Sequence, residues 1–134
     1  GLYAACQCLV HPYRGEGFGL TVAEAMAAGV VVIVTKGGAT DDFCNYQNAV
    51  LVESHRKLID FPEPTVEPTW ILEASTLGLA KYMRQVWINN AMATGRSRLH
   101  DPMTRSLAMQ AWTDIRAGWT WKHSAIRAKE LLSD

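Results

Sequence analysis

Two carboxylates, Glu16 and Glu24, bracket a glycine-rich segment that reads R-G-E-G-F-G-L-T-V-A-E over residues 14–24. Glycine has no Cβ, so Gly17 and Gly19 permit positive φ and a close approach of backbone to ligand. The N–H groups of Phe18, Gly19, Leu20 and Thr21 can then converge on an anion at the start of a helix, and a diphosphate is the natural candidate. Carboxylates are good acceptors for neutral hydroxyls. A ligand with a diphosphate in the middle and a polyol at each end is a nucleotide sugar.

Each of these residues also has a simpler reading. G-x-G-x-G differs from the dinucleotide fingerprint G-x-G-x-x-G, and no P-loop lysine follows it. Thr21 to Glu24 fits a capping box, in which Glu24 folds back onto the N-cap N–H. Glu16 alone reads as a solvated loop acid, and Phe18 as core. Cys6, Cys8 and Cys44 can be drawn with His11 as a zinc site, but the spacing lacks a paired ligand motif and buried thiols near strands are the better reading. There is no D-x-D motif, and Asp41 and Asp42 are adjacent, which suits a loop or a cap better than a metal. The expectation is no metal and no cofactor. Arg14 and Lys36 are local cations that read as surface residues.

The elements that must position this segment are short and regular. Cys8–His11 is an apolar run closed by Pro12, which predicts a buried strand ending in a loop. Residues 20–28 are Ala-rich and helix-favouring, with Gly29 as the C-terminal stop. The β-branched run at residues 30–34 suits an inner strand of a parallel sheet covered on both faces. Gly37 and Gly38 open a loop, Asp41 and Asp42 stand where a short helix starts, and residues 49–52 read as a further strand. Strand, helix, strand, helix, strand is the grammar of a doubly wound α/β sheet, whose ligands bind at the carboxyl edge.

Residues 53–70 carry Pro62, Pro64 and Pro68 and predict an excursion with little regular structure. Residues 71–134 predict helices. Leu72, Leu79, Met83 and Val86 share one face of a helix reaching about Ala93, weakened by Gly78. Asp101 and Pro102 start the next, with Leu107, Ala111 and Ile115 as its inward stripe and Gly118 as its stop. Thr120 caps a last helix with the apolar line Trp121, Ala125, Ala128 and Leu132. Trp112, Trp119 and Trp121 read as core anchors.

Bulk properties bound the rest. The chain of 134 residues is 49% hydrophobic and 19% charged, ordinary for one globular domain. Thirteen basic residues balance thirteen acidic ones, so no global field draws it to nucleic acid or an anionic membrane. No transmembrane segment or signal-type core is present in the sequence. The odd cysteine count points to a reducing, cytoplasmic setting. The chain opens at Gly1 directly into an apolar helical segment with no N-cap, which reads as an element cut part-way, with an upstream portion expected.

E-G-F-G-L-T-V-A-E, from Glu16 to Glu24, resembles the E-x7-E signature of retaining GT-B glycosyltransferases, family 4 in particular. Neighbouring features agree in order: Y-A-A-C before the strand, A-M-A-A-G-V after the helix, the G-G-A-T-D loop, and W-T-W at residues 119–121. The resemblance covers residues 2–52 well and 119–132 weakly. Val31 departs from the family's proline, Gln7 from its usual Asp, and Ala49 from its N-G; these bear on stability, through a looser turn before the strand, more than on chemistry.

The resemblance implies the C-terminal, nucleotide-sugar-binding part of a GT-B enzyme, a partial Rossmann-like domain with a helical C-terminal region. It implies transfer of a hexose from a nucleoside diphosphate sugar to an acceptor hydroxyl with retention, without a metal. Glu16 would contact donor-sugar hydroxyls and carry the catalytic role. Gly17, Phe18, Gly19, Leu20 and Thr21 would face the sugar and diphosphate, and Glu24 the ribose, with Thr21 still able to cap through its hydroxyl. The acceptor would be held by an N-terminal domain upstream, as would the Arg and Lys that meet the diphosphate, so the chain alone is expected to be inactive. Any peripheral membrane contact would belong to those regions too. A GT-B phosphorylase and a non-catalytic nucleotide-sugar-binding or interaction module are the alternatives.

Overall fold

The structure is a computed structural model that describes residues 1–60, 69–91 and 101–133. A one-turn helix α1 (Leu2–Ala5) leads into β1 (Cys8–His11), α2 (Leu20–Ala27), β2 (Val31–Thr35), a 3-10 turn at Ala39–Asp42, and β3 (Val50–Val52). The strands form one parallel sheet in the order β1-β2-β3. The expected strand–helix–strand grammar is therefore the observed one. All five residues of β2 are buried, as the unbroken β-branched run requires of a central strand covered on both faces.

α2 ends in a Schellman closure. Gly29 has φ 71°, its N–H donates to the Met26 carbonyl at 2.9 Å, and the Val30 N–H donates to the Ala25 carbonyl at 3.0 Å. The turn before β2 is thus well formed although Val31 stands where a proline was expected. Val31 itself is buried and pairs with Cys8 in the ladder.

Two apolar layers flank the sheet. On one side Val22, Ala25 and Met26 of α2 pack with Val32 and Val34 of β2 and with Ala111 and Ile115 of α4 (Pro102–Gly118). On the other side Val31, Ile33 and Val52 pack with Val86 of α3 (Thr76–Ala91) and with Leu107 and Ala108 of α4. α4 begins as its sequence predicts: Asp101 is the N-cap, its side chain accepts from the Thr104 N–H, and Pro102 opens the helix.

Three expectations fail. Within the proline-bearing stretch, Ser54–Leu58 forms a strand, β4, which pairs antiparallel with β5 (Trp70–Ala74). Its side chains are mostly exposed, so it shows no apolar pattern; Arg56 instead stacks on Trp70 at 4.2 Å. Pro62, Pro64 and Pro68 lie outside the described residues. Leu72 belongs to β5 and not to the following helix, which starts at Thr76, and Met83 is exposed; Ala93 lies outside the described residues. Gly78 sits in the first turn of α3, where its N–H donates to Ser75 Oγ at 3.1 Å. Finally, α5 (Trp121–Leu131) buries none of its residues, so Trp121 is not a core anchor and the apolar line of Trp121, Ala125, Ala128 and Leu132 is not buried.

Candidate functional site

Parallel strands deliver their C-terminal ends to one edge of the sheet. β1 ends at His11, and residues 12–19 cross from there to the N-terminus of α2. Gly19 is the N-cap, with φ 91° and ψ 45°, a left-handed conformation that only glycine adopts without strain. A Cβ built on Gly19 would lie 2.6 Å from Thr40 Cγ2, so space forbids a side chain there as well. Gly17 differs from the expectation: its φ is not positive, and a Cβ there would meet nothing within 4 Å.

Glu16 is held at both oxygens. Oε1 accepts the Gly17 N–H at 3.1 Å, and Oε2 lies 3.3 Å from His11 Nε2. The His11 ring, followed by the N–H groups of Gly17, Phe18 and Gly19, holds the Glu16 carboxyl below the usual carboxylate range, against the opposing effect of burial. The loop N–H groups are thus turned toward the Glu16 carboxylate.

Phe18 does have the core role. Its ring meets Phe43 at 5.1 Å and Trp119 at 5.8 Å, and the latter two meet at 5.6 Å. This cluster pins the loop from below and leaves the Phe18 backbone to the site. All three tryptophans read as anchors are partly or largely exposed: Trp119, at 40%, joins this ring cluster, Trp112, at 38%, is stacked by Arg116, and Trp121 is 79% exposed.

The capping box is absent. The helix starts at Leu20, with Gly19 as N-cap and no side-chain cap hydrogen bond, so Thr21 is its second residue and does not cap. Glu24 is exposed on α2 and accepts a hydrogen bond from Tyr3 Oη at 3.0 Å, leaving its own helix N-terminus alone. The N–H groups of Leu20 and Thr21 fall in the first turn, where an α-helix has no internal acceptor for them. Leu20 is half exposed and Thr21 exposed.

Other polar residues resolve into structural roles. Lys36 donates to Glu53 Oε1 at 3.0 Å and to Tyr46 Oη at 2.8 Å. Asp41 accepts from the Gly37 N–H at 3.0 Å and so closes the Gly-Gly loop. Arg14 is exposed. The cysteines are free, and among the described residues no group of three His, Cys, Asp or Glu side chains could hold a metal ion. No helix among the described residues is long and apolar enough to cross a membrane.

Two features escaped the sequence reading. One is the His11 contact with Glu16, for which a histidine at a strand end before a glycine loop was the only signal. The other is a cleft of about 600 Å³ beside the first turns of α2, where Leu20 and Glu24 face Arg116, Trp119 and Trp121 of the α4–α5 corner.

Residues 1–61 match the model of the family Glycosyl transferases group 1. No curated protein matches the chain significantly in sequence. Among solved structures, the chain is similar to sucrose-phosphate synthase from Thermosynechococcus elongatus, with a TM-score of 0.67 and 21% identity. That match covers 98% of this chain and 26% of the synthase. The segment from Gly1 to Phe61 thus carries the group 1 glycosyltransferase pattern, and the chain carries a mixed α/β fold of the GT-B kind.

Proposed function

We propose that this chain is the donor-binding part of a retaining, family 4-like GT-B glycosyltransferase of the hexosyltransferase type. Glu16 receives hydroxyls of the donor sugar. The loop and helix N–H groups from Gly17 to Thr21 face the sugar and the diphosphate, and Glu24 holds the ribose. The observation that carries the reading is the placement of Glu16 and Glu24. Both are exposed, and they stand on either side of the α2 N-terminus at the carboxyl edge of a parallel sheet. The match of residues 1–61 to a glycosyltransferase family supports the same reading.

Chemically, the site would stabilise charge as the bond between the anomeric carbon and the diphosphate breaks. A helix N-terminus and fixed N–H groups are favourable for that at no reorganisation cost. Transfer to an acceptor hydroxyl, and the acceptor's own binding site, belong in this proposal to parts of the protein beyond this chain. Alanine at Glu16 or at Glu24 in the full-length protein is expected to cut donor turnover by orders of magnitude. Near-normal rates in either variant would contradict the assignment.

A further inference from the structure

The carboxylate given the sugar hydroxyls in the preceding reading has three side-chain torsions and sits in an exposed loop. Left alone, it would sample many positions, and a group that must meet particular hydroxyls loses affinity with each of them. The structure restrains it from two sides. Gly17 N–H takes Oε1, and His11 Nε2 stands at Oε2.

The His11 contact is anchored on the sheet side. His11 is the last residue of β1, locked in register opposite Val34, and its side chain is 26% exposed. Its ring lies tilted against the Tyr13 ring, centroids 5.6 Å apart. Tyr13 is buried and is itself fixed twice, by a hydrogen bond between its hydroxyl and Thr40 Oγ1 at 2.8 Å and by Thr35 Oγ1 donating to its carbonyl at 2.9 Å. The imidazole is therefore carried by the sheet, while Gly17 belongs to the loop. A carboxylate oxygen has a second lone pair, so each oxygen can serve its protein partner and still accept a ligand hydroxyl.

We infer that His11 is the positioning residue for Glu16: it fixes the carboxylate against the sheet so that its free lone pairs face the donor sugar. This rests on the donor reading above. The histidine touches no reacting atom and acts only through Glu16, by donating the Nε2 hydrogen to Oε2.

The test uses the full-length protein carrying this chain, with UDP-glucose, ADP-glucose and GDP-mannose as donors and the matching nucleoside diphosphates as inhibitors. Native protein, Glu16→Ala, His11→Leu, His11→Gln and the Glu16→Ala/His11→Leu double variant are compared. His11→Leu is expected to lower kcat/KM by about tenfold to a hundredfold, the scale of one charge-assisted hydrogen bond. Its inhibition by the bare nucleoside diphosphate, which has no sugar, should stay unchanged; a general structural defect would weaken both. The double variant should be no worse than Glu16→Ala alone, because the histidine has then lost what it positions. His11→Gln keeps an N–H donor and should recover most of the rate, so the test stands even where His11→Leu folds poorly.

A dead Glu16→Ala beside a native-like His11→Leu overturns the inference and leaves the donor reading intact, as does a His11→Gln no better than Glu16→Ala. Native-like turnover in Glu16→Ala, or turnover of none of the three donors by the native protein, overturns the donor reading and the inference with it.

Discussion

Tyr3 Oη donates to Glu24 Oε2 at 3.0 Å, across a sequence separation of 21 residues. The bond joins the one-turn helix before β1 to the helix after the glycine loop, and it ties down one oxygen of Glu24. In the proposed site Tyr3 orients the ribose acceptor. Tyr3→Phe removes one hydroxyl and little else, so fold stability should hold, and the inhibition constant of a nucleoside diphosphate should rise about threefold to tenfold. Inhibition assays on the full-length protein read this directly.

Gly19 and Gly17 should behave in opposite ways although they are two residues apart. Alanine at Gly19 must hold a left-handed φ, which costs about 1–2 kcal/mol, and its Cβ meets the Thr40 methyl. Gly19→Ala is therefore expected to lower stability by about 2 kcal/mol or more, read from the urea midpoint. Thr40→Ser in the same chain relieves the methyl contact, keeps a hydroxyl for Tyr13, and should recover only part of the loss. Gly17→Ala should fold like the native chain, since nothing lies near it. Any fall in donor turnover it causes then reports on ligand contact.

Thiol chemistry offers a check on the core. Burial pushes the Cys44 thiol up to about 12 and the Cys8 thiol up to about 11, so both stay protonated at neutral pH. The nucleophile in alkylation is the thiolate. Cys44 and Cys8 should therefore resist iodoacetamide at pH 8 in the folded protein and react only on unfolding. Rapid native-state labelling of Cys44, read by peptide mass spectrometry, would mean that the layer it shares with Met26 and Phe43 is open.

The pH response of the loop has a defined sign. Glu16 is held below the ordinary carboxylate range, first by His11. A carboxyl with a depressed folded value contributes stability above its unfolded value, about 4.3, and loses it as pH falls through the depressed value. Loop order and donor affinity should therefore be insensitive to this group at neutral pH and decline only below about pH 4.3. In His11→Leu the decline should begin at higher pH. Donor affinity measured by titration calorimetry between neutral pH and the acid limit of folding checks both.

How much of this was legible in the sequence depends on which residues carried the signal. β2 and α2 were plain, because a β-branched run and an Ala-rich run closed by Gly29 each admit one local solution. The site segment was legible as a loop between them, and Gly19 as a glycine with a reason. Gly17 does not use the positive φ that glycine permits, and spacing alone cannot tell a strained glycine from an unstrained one. β4 was missed because S-H-R-K-L is exposed and polar, held by its partner strand and by Arg56 on Trp70 and not by an apolar face. Trp121 was misread as a core anchor for the converse reason: helical spacing describes a face, and burial needs a neighbour. The contacts of Glu16 with His11 and of Glu24 with Tyr3 depend on chain reversal, which no periodicity encodes.

The central claim is a division of labour, with Glu24 on the nucleoside side of the donor and Glu16 on the sugar side. The most direct measurement is binding of a nucleotide sugar and of its bare nucleoside diphosphate, by titration calorimetry, to the native full-length protein and to Glu16→Ala and Glu24→Ala. Glu24→Ala is expected to weaken both ligands by about tenfold or more, and Glu16→Ala to weaken only the sugar-bearing one. Equal loss of the bare diphosphate in both variants, or loss in neither, would contradict it.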